Sequence, residues 1–139
     1  MPHFLIRFIV TLLLFLAIDS VWLVRIAPNF YKTHIGHLLG ETIVWWAAGL
    51  FYLIFIVGLL LFVIVPALEK ASAKYAAYRG ALFGLVTYAT YDLTNQATLR
   101  DWPLIVVIVD LTWGTVLSAS VAFFSYLVLS RWNRMPPQN

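Results

Sequence analysis

The chain is patterned as four long apolar stretches separated by short polar breaks, with carboxylates placed inside three of the stretches. The first runs from Phe4 to about Ile26 and carries Arg7 at its start and Asp19 within it. It is too long for a signal-peptide core, holds Asp19 and Trp22 towards its end, and is followed by no small-x-small cleavage site, so it is expected to be a retained helix. The second spans Ile43 to Val65 and is expected to stop at Pro66. The third covers Lys74 to Thr98 and is the least apolar, because its end from Asp92 to Gln96 is polar. The fourth starts at Pro103, a residue suited to a first helical turn, and reaches about Leu129. The tail from Arg131 to Asn139 is expected to fray.

Stretches of this length match the roughly 20 residues a helix needs to cross a bilayer. Composition points the same way: 63% of the 139 residues are hydrophobic and 11% are charged, too little polar surface to cover a water-soluble globule. The expected fold is all-α, a single-domain integral membrane four-helix bundle with helices about 4–26, 43–65, 74–98 and 103–129. The net charge of +3 is small and scattered, which argues against nucleic acid as a partner and fits the basic flanks of membrane helices. Six Trp and seven Tyr suit the membrane interface. The absence of cysteine removes disulfides, thiolate nucleophiles and Cys metal sites.

Basic residues set the expected orientation. Arg7, Lys70, Lys74, Arg79, Arg131 and Arg134 flank one side, and Arg25, Lys32 and Arg100 the other. The excess places both termini in the cytoplasm of a bacterial-type inner membrane. A D-x-x-W string occurs twice, at Asp19–Trp22 and Asp110–Trp113, but on helices of opposite direction, and it is too weak to mark an inverted repeat.

An ionisable residue in hydrocarbon is costly, and so points to function. Asp19, Asp92 and Asp110 each fall six or seven residues from the outer end of their stretch, roughly 10 Å deep at 1.5 Å per residue, which places all three in one layer. On the third helix Gly80, Gly84, Tyr88, Tyr91, Asp92 and Asn95 share a sector of about 120°. The Gly80-x-x-x-Gly84 pair makes that sector a helix-packing face. The expected pocket gathers Asp19, Asp92 and Asp110 as catalytic candidates, with Trp22, Tyr88, Tyr91, Asn95, Trp102 and Trp113 as ligand contacts. The plainer alternative is that each Asp hydrogen-bonds a neighbour or pairs with Arg25 or Arg100. Three like charges in one layer repel, so at least one is expected to be protonated or to hold a cation.

The outer connection offers His34, His37 and Glu41, but Gly36 and Gly40 interrupt any helix that would align them, and a solvated loop without metal is the expectation. Trp45 and Trp46 read as interface anchors. The residues name no cofactor, and neither a phosphate loop nor an H-E-x-x-H string occurs.

The string Thr90-Tyr-Asp-Leu-Thr-Asn95-Gln-Ala-Thr-Leu99, with Trp102-Pro103, Asp110-Leu-Thr-Trp113-Gly114, Asp19-Ser-Val-Trp22-Leu23 and Gly80-Ala-Leu-Phe-Gly84, resembles a bacterial family of four-helix membrane proteins known as a domain of unknown function. The resemblance covers nearly the whole chain. It implies an inner-membrane protein, encoded near methyltransferases similar to cyclopropane-fatty-acid synthases and near flavin-dependent oxidoreductases.

Three roles follow. In the first, the pocket binds or modifies a lipid-like or small amphipathic molecule; in an enzyme, one protonated and one ionised Asp would divide acid and base duties while Trp22 and Trp113 stabilise a cation. The second is a proton- or cation-coupled transporter, which with four spans would call for a homodimer. The third is an assembly partner whose acids fix helix packing. Membrane lipids are partners in all three.

Overall fold

The computed structural model describes residues 2–132, and these are helical almost throughout. The elements are α1 (Pro2–Arg25), α2 (Ala27–Ile35), a 3-10 turn (Gly36–Leu38), α3 (Trp45–Leu59), a π turn (Leu60–Ile64), α4 (Val65–Glu69), α5 (Ala73–Thr98) and α6 (Leu104–Trp132). Three helical stretches are long and apolar enough to cross a membrane: His3–Arg25, Trp45–Glu69 and Leu104–Trp132. Arg134 and the tail beyond Trp132 lie outside the described residues, so the expected fraying is not addressed.

The second stretch departs from the expectation at its end. Helix persists through Pro66 to Glu69, and the proline, which cannot donate, is accommodated by the π turn before it. A proline inside an α-helix removes one hydrogen bond and its ring collides with the carbonyl four residues back, here Phe62. Widening the turn, with the Val65 N–H reaching back five residues to the Leu60 carbonyl, gives that ring room. Pro66 then occupies the first turn of α4.

α5 and α6 form the most intimate pair. A Cβ added to Gly80 would lie 2.6 Å from the Ser118 carbonyl and 2.8 Å from Ala122 Cβ. One added to Gly84 would collide with the Gly114 carbonyl, and one added to Gly114 would enter the Tyr88 ring. The pairs Gly80–Ala122, Gly84–Ser118 and Tyr88–Gly114 advance by four residues on each helix in opposite directions, an antiparallel register that depends on small residues at successive turns. The next step of that register sets Asp92 against Asp110.

A core of Phe15, Ile56, Leu59, Leu60, Val63, Ile64, Leu117 and Val121 joins α1, the second stretch and α6. Its members are four or so residues apart on each helix, one face each turned inward. Thr11 and Phe15 continue as a buried stripe to Asp19 and Trp22 on α1.

The expected outer loop is in part a second correction. Residues 27–35 form α2, which begins with Pro28 in its first turn and places Ile35 against Trp102, Val106 and Val107, with Phe30 and Tyr31 packed alongside. Apolar positions at 27, 30, 31 and 35 follow helical spacing, so the segment buries one face over the acidic end of α6.

Candidate functional site

The acidic layer is built from the C-terminal ends of α1 and α5, the start of α6, and two tyrosines from elsewhere. Asp19, Asp92 and Asp110 are all buried. The Tyr52 hydroxyl of α3 donates to Asp19 Oδ2 at 3.2 Å, and the Trp113 indole N–H points at Asp19 Oδ1 at 3.4 Å. Trp113 stacks on Trp22, with centroids 4.7 Å apart and planes within 11°. The Tyr31 hydroxyl of α2 donates to Asp110 Oδ1 at 2.5 Å. Burial first, then this bond, hold the Tyr31 phenol above its ordinary range, so it remains a donor. Asp92 differs from both: it is 0% exposed, and neither of its carboxylate oxygens has a hydrogen-bond partner in the protein.

Tyr88 ties the layer together, lying within electrostatic reach of Asp19, Asp92, Asp110 and Tyr52. Asp92 and Asp110 are likewise within reach of one another. Among the described residues, no lysine or arginine acts on the three carboxylates, whose neighbours are Tyr, Trp and each other. Pairing with Arg25 or Arg100 is therefore not the arrangement; both arginines are exposed.

Beside the layer a cleft of about 660 Å³ opens along the flank of the molecule. One wall is Phe51 and Phe55 of α3; the other is Thr87, Tyr88, Thr90, Tyr91 and Thr94 of α5; Asp110 of α6 completes the lining. The walls meet where Gly58 faces Phe83, whose ring would be 3.1 Å from an added Cβ. Its volume falls in the range of about 300–1,000 Å³ common for small-molecule sites.

The cleft wall on α5 is less polar than its threonines suggest. Thr87, Thr90, Thr94 and Thr98 each donate to the carbonyl four residues earlier, at 2.9, 2.7, 2.5 and 2.8 Å. Each hydroxyl is satisfied within the helix, so the cost of taking it out of water is largely met.

Of the sequence-derived candidates, Tyr88, Tyr91 and Asp110 meet in the cleft, while Asp19 and Asp92 stand behind it. Trp22 and Trp113 border a separate shallow groove between α1 and α6. Trp102 is buried beneath α2 with its ring edge-on to Tyr91, 5.9 Å between centroids, and Asn95 is half-buried one turn beyond Tyr91. Sequence reasoning missed Tyr31 and Tyr52 as carboxylate partners and Phe51 and Phe55 as a wall. The depth rule used for the acids would have found Tyr52, seven residues into α3; Tyr31 was hidden by reading residues 27–42 as loop.

The His34 Nδ1–H donates to the Phe30 carbonyl, 2.8 Å away, and its ring packs on Phe30. His37 lies in the 3-10 turn and Glu41 beyond it. No group of three or more His, Asp or Glu side chains is placed to hold a metal ion among the described residues.

Apolar helices of membrane-crossing length, a core of interlocking helix faces and a buried acidic layer define an integral membrane protein. The chain belongs to a family described as a predicted membrane protein, DUF2177, whose model matches residues 4–127. No curated protein and no solved structure matches it.

Proposed function

We propose that the protein is a four-span inner-membrane bundle that takes an amphipathic molecule from the outer leaflet into the cleft between α3 and α5. The observation that carries this reading is the cleft itself, aromatic and apolar along its walls and ending on the carboxylate of Asp110. Its wall from Thr87 to Thr94 lies roughly 6 to 16 Å below the outer end of α5 at 1.5 Å per residue. That is the depth of acyl chains in one leaflet of a hydrocarbon core about 30 Å thick. A chain lying against Phe51 and Phe55 would bring its polar end to the acids without crossing water. The internal bonding of the α5 threonines supports α5 as the fourth span, since its low hydropathy overstates its polarity.

In this arrangement both termini face the cytoplasm, and α2 covers the acidic layer from the periplasmic side. A single cysteine replacing Lys32 is expected to react with an impermeant thiol reagent from outside, and one replacing Ser72 is not; the reverse pattern inverts the bundle. The cleft is tested by Thr90→Trp, which projects bulk between its walls. Mass spectrometry of the detergent-solubilised protein is expected to show an amphiphile retained by the native chain and lost from this variant. Equal retention by both rejects the cleft as the binding site.

A further inference from the structure

We infer that the polar end of the molecule held in this cleft is a positively charged nitrogen, an ammonium borne on an alkyl chain, seated on Asp110 with Asp92 behind it. The inference rests on the proposed binding role and adds the charge of the ligand. Its starting point is the charge balance of the layer. Three buried carboxylates share it, no basic side chain acts on them among the described residues, and two of the three have neutral donors only. Neutral donors orient a carboxylate but leave its charge in place, and an uncompensated buried charge costs several kcal/mol.

Asp92 sharpens the point. It is fully buried with both oxygens unpartnered, and the α5–α6 register sets it against Asp110, the one acid exposed to the cleft. Two facing carboxylates repel unless one of them keeps a proton or a positive charge lies between or beside them, and a bound cation lets both stay ionised. The nearest route for such a charge is the cleft. Tyr88 and Tyr91 border the same path, and aromatic faces attract ammonium groups at desolvated sites. An anionic or phosphate end would meet the Asp110 carboxylate with no cationic side chain in the lining to offset it. A neutral end would leave the charge balance unaltered.

The test uses the full chain in uncharged maltoside micelles and follows its tryptophan fluorescence and thermal midpoint. The probes are dodecyltrimethylammonium, an uncharged dodecyl amide and dodecanoate. The ammonium is expected to bind at least ten-fold more tightly than the amide, and dodecanoate more weakly than either. Asp92→Asn combined with Asp110→Asn is expected to abolish the ammonium preference, while Asp101→Asn in the exposed outer turn retains it. If the double variant does not fold, Asp110→Asn alone decides, since its side chain can still accept from Tyr31. Displacement of the probe by aminophospholipid in mixed micelles assigns the ammonium to a lipid headgroup; displacement only by a long-chain amine assigns it to a free amphiphile. Equal binding of amide and ammonium overturns the charge assignment. If both bind equally and Thr90→Trp removes both, the cleft stands and only the charge is wrong. If Thr90→Trp removes neither, the cleft reading itself falls.

Discussion

The two halves of the α5–α6 interface follow one register and do opposite things with it. In the glycine half Gly80, Gly84 and Gly114 bring backbone against backbone, Ser118 and Ala122 completing the fit. In the acidic half the same four-residue step sets Asp92 against Asp110, and the helices hold a polar layer and one edge of a cleft. The close-packed half anchors the pair, so the acidic half can carry groups that add nothing to the grip of α5 on α6. Stability and chemistry are thus divided along a single helix pair, and substitutions can separate them.

The largest effect is expected from Gly84→Leu, whose Cβ would meet the Gly114 carbonyl and Ser118 Oγ. Overpacking against backbone should cost about 3 kcal/mol or more, read as loss of a monodisperse folded species on size exclusion; a wild-type melting profile would break the claim that this half anchors the bundle. Tyr31→Phe comes next. It removes the hydroxyl that donates to Asp110 at 2.5 Å, and hydrogen bonds to charged groups are worth about 1.5–3 kcal/mol. A lowered thermal midpoint, with faster hydrogen exchange in α2, is the expected result. Asp92→Asn should leave stability unchanged or raise it by about 1 kcal/mol, since an unpaired buried charge is removed at constant shape. Clear destabilisation would mean that the acidic half holds the helices after all. The smallest change is Ser118→Ala, which deletes a buried hydroxyl without a partner and should alter the midpoint by less than about 1 kcal/mol, with probe binding retained.

Helix positions were readable from the sequence because lipid-sized apolar runs leave few alternatives. The shared depth of Asp19, Asp92 and Asp110 and the inward face of α5 were also legible, the first from counting and the second from Gly80 and Gly84. What escaped was relational. That Tyr52 serves Asp19 and Tyr31 serves Asp110 depends on which helices become neighbours, and residues 33 and 79 positions apart leave no local signature. Pro66 reads as a stop because a proline ends most helices; here a wider turn absorbs it, a choice made by packing on α1, α5 and α6. The cleft was invisible for the same reason, being a gap between two helices whose sequences look ordinary.

The π turn at Leu60–Ile64 has a bearing on how this chain tolerates change in length. A π turn holds one more residue than the α-helical turn it replaces, so it behaves as an insertion locked into the helix. Deleting one residue there would let the α-helix close over the gap with the helix on either side still in phase, whereas straightening the turn at full length would rotate everything upstream by about 100°. Phe51, Tyr52 and Phe55 would swing off the cleft and away from Asp19 with no substitution among them. The turn is therefore a setting of phase: a single codon lost between Leu60 and Ile64 would spare the site, while loss of the wide turn at full length would cost it more than most replacements within it.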